Sequence, residues 1–120
     1  MLVLAGCNSG TVDRHALTSD AATIDSINCE AWLLSRAVAR DRVTTNYARE
    51  QAEELGLQAA NFADALAHRP TAAGLEPRVR AKAKDAATLA SQLRQLRSHP
   101  SDRDRAKKLA GVFKHAGSCS

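Results

Sequence analysis

From residue 20 to residue 68 the chain contains no proline and only one glycine, Gly56. Over that stretch its apolar residues step by three and four: Ile24, Ile27, Ala31, Leu34 and Val38, then Ala48, Ala52, Leu55, Ala59, Phe62 and Leu66. Only Asp41 and Thr45 interrupt the track. Side chains at this spacing share one face of a helix, so the pattern predicts a helical seam and leaves no period-two strand. Ser19 or Asp20 is the expected cap, because a short side-chain oxygen there accepts from the first unpaired amides. Aromatic residues are only 3% of the chain, so the core must be built from Ala, Leu, Val and Ile, which suits close-packed helices.

Arg69-Pro70-Thr71-Ala72-Ala73-Gly74 ends the first arm, since proline removes a ladder donor and glycine permits a left-handed turn. A second arm starts near Leu75 with Pro77 in its first turn and runs through Val79, Lys82, Ala86, Leu89, Leu93 and Leu96. His99-Pro100 breaks it, and Ser101 is the expected cap of a last helix bearing Leu109, Val112, Phe113 and Ala116. The expected class is all-α, with two layouts open. One is an extended antiparallel hairpin with arms of roughly 60–65 Å if wholly helical. The other breaks the first arm near residues 41–46, where Thr44, Thr45 and Asn46 are weak helix formers, and gives a compact up-down four-helix bundle.

The N-terminal Leu4-Ala5-Gly6-Cys7 resembles the lipobox of bacterial lipoproteins, and Asn8 to Thr11 is similar to the flexible tether that follows it. Small residues before the cysteine admit the backbone to a narrow protease site, and the cysteine sulfur accepts the lipid. The resemblance implies an acylated (palmitate-type) Cys7 and a protein on the bacterial cell membrane or outer membrane, facing away from the cytoplasm. It implies that residues 1–6 are the remnant of a signal segment, 7–19 a lipidated tether and 20–119 one helical domain. A signal segment has a basic region and an apolar stretch of roughly 7–15 residues, so more chain is expected upstream of Met1.

Cys29 and Cys119 then remain as an even pair in an exported protein, and the expectation is a disulfide between them. In an antiparallel return Cys119 comes back beside Cys29, and the bridge would close the open end opposite the 70–74 turn. Two free thiols are the alternative for a cytosolic chain. No metal is expected: there is no C-x-x-C, and Gly117 and Ser118 intervene between His115 and Cys119.

Charge is divided along the chain. Residues 1–68 hold five Lys or Arg against nine Asp or Glu, a balance of −4, and residues 69–120 hold twelve against four, a balance of +8. Attraction between an acidic arm and a basic return arm is the simplest reading. The contact reading places anionic lipid or polymer on Arg103, Arg105, Lys107 and Lys108. The run Arg78, Arg80, Lys82 and Lys84 splits into two stripes on a helix. No aromatics interleave for base stacking, so nucleic acid is not an expected partner.

His15, His68, His99 and His115 read as structural or surface residues, and Asp41 as a buried charge facing Arg103 or Arg105, as a residue rotated to solvent, or as the mark of a break. Trp32 reads as a core or interface anchor. G-x-S-x-G, H-E-x-x-H, phosphate-loop and haem-attachment motifs do not occur. The expected function is a non-enzymatic, lipid-anchored envelope module without cofactor that meets another envelope protein. The alternative is an extracytoplasmic binding module for a small ligand or an anionic polymer or lipid.

Overall fold

The computed structural model describes residues 10–120, and the four helices among these residues follow the apolar tracks. They are α1 (Arg14–Ala39), α2 (Thr45–His68), α3 (Glu76–Ser98) and α4 (Arg103–Ala116). The lipobox-like residues through Cys7 lie outside the described residues. Of the two layouts, the compact one is present: the molecule measures 46 × 28 × 22 Å, too short for arms of about 60 Å.

The long first arm breaks because the backbone turns left-handed at Asp41, with φ 56°. Asp41 N–H donates to the Val38 carbonyl (3.0 Å) and Arg42 N–H to the Ala37 carbonyl (2.8 Å), the paired bonds of a Schellman ending. The Thr44 hydroxyl then caps α2 by accepting from Tyr47 N–H at 3.1 Å. Asp41 is not a buried charge. It is 71% exposed, ends α1, and faces Arg103 at 3.1 Å across the loops at that end of the bundle.

Two other boundaries differ from expectation. Asp13, not Ser19 or Asp20, caps α1, accepting from Ala16 N–H at 2.8 Å. Asp102, not Ser101, caps α4, accepting from Arg105 N–H at 3.0 Å. The segment before α1 is tied to the α2–α3 turn. Val12 N–H donates to the Pro70 carbonyl (2.7 Å), and Ala72 N–H donates to the Val12 carbonyl (3.0 Å). Val12 is fully buried. Residues 12–19 therefore belong to the folded body and not to the expected tether, because Val12 gains both apolar burial and two backbone bonds there.

The helices pack as two antiparallel pairs. α2 and α3 share the most extensive interface, and α1 packs chiefly on α4. Ala48, Ala52 and Ala59 on α2 and Ala86 and Ala90 on α3 are buried, and such small side chains let two axes approach closely. Leu89, Leu93 and Leu96 fill the centre, and Phe113 of α4 is fully buried. Ser35 is an exception in this core: its hydroxyl is buried and has no hydrogen-bond partner.

Cys29 and Cys119 form a disulfide, with Cα atoms 5.5 Å apart and a sequence separation of 90. Cys29 lies within α1 and not at its end, so the bridge fastens the short last helix to the middle of the first instead of closing an open tip. Replacing both cysteines by serine is expected to lower unfolding free energy by on the order of 4–5 kcal/mol, from the loop that is released. Urea melts with and without reductant check this, and an unchanged midpoint would refute it. Ser35→Ala is expected to raise stability by about 1 kcal/mol, since it removes an unsatisfied buried hydroxyl and improves helix propensity. A lower melting temperature for that variant would contradict this account of the core.

Candidate functional site

The seam between α1 and α4 combines the chain's disulfide, its tryptophan and several of its cations. It is set by how α4 ends. Ser118 takes φ 53°, its N–H donates to the His115 carbonyl (3.2 Å), and Cys119 N–H donates to the Lys114 carbonyl (2.9 Å). This second Schellman ending swings Cys119 onto α1. Gly117 makes the crossing possible by its size. A Cβ there would lie 2.8 Å from Asn28 Cβ and 2.9 Å from the Asp25 carbonyl oxygen. Asn28 beneath it is buried and donates its side-chain amide to the Ile24 carbonyl at 3.2 Å.

One turn beyond Cys29, half-buried Trp32 carries two cations on its ring. Arg36 Cζ is 5.5 Å and Lys114 Nζ 5.3 Å from the ring centroid. Such cation–π contacts are worth about 0.5–1 kcal/mol each at exposed sites. Trp32 is thus an anchor of the helix–helix seam. Its (i, i+4) spacing to Arg36 was legible in the sequence, but its meeting with Lys114 depends on a register that only the fold supplies.

The structure distributes the four residues of the expected anionic contact. Arg103 is paired with Asp41. Arg105 faces the α3 side, where its Nε lies 3.4 Å from Asp102 Oδ2 and its Nη1 3.4 Å from Gln95 Oε1. Lys107 lies one turn after Arg103 on the same stripe, and Lys108 is exposed about 100° further round α4. The bond from Arg105 N–H holds the Asp102 carboxyl below the ordinary carboxylate value. At the other end of the bundle, burial pushes the Asp20 carboxyl up, against the pull of Arg69 3.9 Å away.

A cleft of about 270 Å³ opens where α1, α3 and α4 converge. Ile24, Leu89 and Val112 form apolar walls, and Asp25, Asn28 and Lys82 are among its polar groups. Lys82 is committed to Asp85 at 3.7 Å. The histidines are dispersed. His68 contacts Asp64 at 3.1 Å, His99 Nδ1 lies 3.2 Å from the Gln95 carbonyl, and His15 and His115 are exposed. Among the described residues no three His, Cys, Asp or Glu converge as metal ligands.

Gly117→Ala is expected to cost about 1–3 kcal/mol, the usual penalty for forcing a methyl into a filled contact. Gly111→Ala is the control, because a Cβ at Gly111 meets nothing within 4 Å and an alanine there favours the helix. Thermal melts that rank the two variants equally would show that the Gly117 crossing is not tight.

With this geometry in hand, comparison with known proteins gives no relative to lean on: no family model, no curated protein and no solved structure matches the chain.

Proposed function

We propose that the protein is a lipid-anchored, extracytoplasmic module of a bacterial cell envelope that acts by contact and not by catalysis. The observation that carries this reading is the division of the three cysteines. Cys29 and Cys119 pair with each other, which suits an oxidising compartment, and Cys7 stands in the lipobox-like Leu4-Ala5-Gly6-Cys7.

The fold adds a constraint on the anchor. Val12 is hydrogen-bonded into the α2–α3 turn, and it stands five positions after Cys7. Even fully extended, that span reaches only about 17 Å. A lipid on Cys7 would hold the turn of residues 69–75 close to the bilayer surface.

The gene expressed with its native upstream region should yield protein that enters the detergent phase on phase separation, with an acylated Cys7 peptide by mass spectrometry. Cys7→Ser should remain in the aqueous phase. Identical partitioning of the two forms, or an unmodified Cys7 thiol in protein from the native host, would overturn the anchor.

A further inference from the structure

The α1–α4 seam carries more positive charge than the fold uses. Two contacts fix its antiparallel register, Asp41 against Arg103 and Trp32 against Lys114. Arg36 lies midway between them on α1, and Lys107 lies between them on α4. Arg40 is one turn further along α1 from Arg36. Among the described residues, Arg36, Arg40, Lys107 and Lys114 have no carboxylate at ion-pair distance, whereas Arg103 and Arg105 each have one. Arg36 and Lys114 converge on one indole ring. Two like charges on one ring repel, and an anion arriving between them would relieve that repulsion.

The apolar groups on the same face narrow the choice of anion. Trp32 is half-buried at the seam, and Leu33, 55% exposed and one turn before Arg36 at (i, i+3), stands at the edge of this face where α1 turns toward its groove with α2. A soluble polyanion would satisfy the cations and gain nothing from Leu33. A phospholipid surface offers phosphates to the cations and an interfacial zone to an indole and an aliphatic side chain. The stripe from Trp32 to Arg40 is about 12 Å long by helical rise, enough to meet more than one headgroup. Gly111 shares the α4 stripe with Lys107 and Lys114, and a Cβ there would meet nothing, so that approach is open.

We propose that the α1–α4 face, through Trp32, Leu33, Arg36, Arg40, Lys107 and Lys114, docks on an anionic phospholipid surface. This moves the anionic contact read from the sequence away from Arg103, Arg105 and Lys108. It does not require an acyl chain on Cys7, so the two proposals fail separately.

The test uses the full chain carrying Cys7→Ser, so that no acyl chain contributes. Trp32 is the sole tryptophan, and its emission reports on this face directly. Vesicles of phosphatidylcholine mixed with phosphatidylglycerol should shift the emission to the blue and shield it from acrylamide, with binding that weakens as salt rises. Pure phosphatidylcholine vesicles should do neither.

Arg36→Glu with Lys114→Glu should weaken vesicle binding at least about tenfold, since each cation near an anionic surface is worth about fivefold. The same charge change at Arg94 and Arg97, which line the α2–α3 groove, should leave binding within about twofold. Arg36→Gln with Lys114→Gln, if it melts like the parent, should show an intermediate loss and so separates binding from folding.

An emission spectrum unmoved by the anionic vesicles would overturn the proposal, as would equal losses in the seam and groove variants. Equal binding to neutral vesicles would do the same. A matching blue shift with inorganic polyphosphate at equal phosphate would reassign the face to soluble polyanions.

Discussion

The bundle is closed where the last helix crosses the first. α2 and α3 are sequence neighbours joined by a short turn and packed through alanines, so their pairing needs little beyond local chain reversal. α1 and α4 are the most distant elements in the chain, and bringing them together carries the largest loop-closure entropy. Three features of one junction meet that demand. The left-handed Ser118 aims the chain, Gly117 lets it pass over Asn28 and Asp25 without clash, and Cys119 bonds to Cys29. The buried position of Phe113 on the same helix depends on this closure, and so does the meeting of Trp32 with Lys114. A domain this small, with few aromatics, has little core to spare, and a covalent link across its longest loop is a large part of its stability.

The three-four apolar track and the Pro70 and Pro100 breaks could be read from residues, because each follows from a rule that acts locally, whereas the pairing of Cys29 with Cys119 could be expected only through the lipobox resemblance, which sets Cys7 aside and implies export. What escaped was decided by geometry. Asp41 tolerates a left-handed φ as few residues besides glycine do, so the helix stop carried no glycine to announce it. Asp13, Ser19 and Asp20 are all acceptable caps, and the choice fell to Asp13 because Val12 could be buried against the 70–72 strand-like segment. The close contact at Gly117 has no local signature at all. Its φ of −92° is ordinary, and its need for glycine appears only against the surface of α1.

The division of charge between the halves predicts attraction along the whole length of the molecule. The structure realises it sparingly. Arg69 with Asp20 and Arg103 with Asp41 join different elements, at opposite ends of the bundle, while Lys82–Asp85 and Arg105–Asp102 are neighbours on one turn. The exposed pairs contribute about 0–1 kcal/mol each, and at the half-buried Asp20 desolvation outweighs the pull of Arg69, so these contacts steer register more than they stabilise. Of the remaining cations of α1 and α4, Arg36 and Lys114 lie on the Trp32 ring while Arg40, Lys107 and Lys108 face solvent, and their clustering is a property of the surface and not of the core.

The two proposals constrain each other through the dimensions of the body. A lipid on Cys7 would fix the bundle end near Val12, within about 17 Å of the bilayer. Trp32 lies eighteen residues into α1, counted from Arg14, or about 27 Å further along the axis. A bundle standing upright on its anchor would lift the cationic seam well beyond the 8–10 Å range of surface electrostatics at ordinary salt. Only a bundle lying on its side, with its 46 Å axis along the membrane, lets the anchor and the seam engage one bilayer together. In that pose α1 and α4 face the lipid and the α2–α3 pair, with Glu50, Glu53 and Glu54 exposed on α2, faces away. Each packed pair joins one helix of the acidic half to one of the basic half, so the segregation of charge along the chain does not by itself orient the bundle, and the orientation rests on the local cluster of Arg36, Lys107 and Lys114 around Trp32.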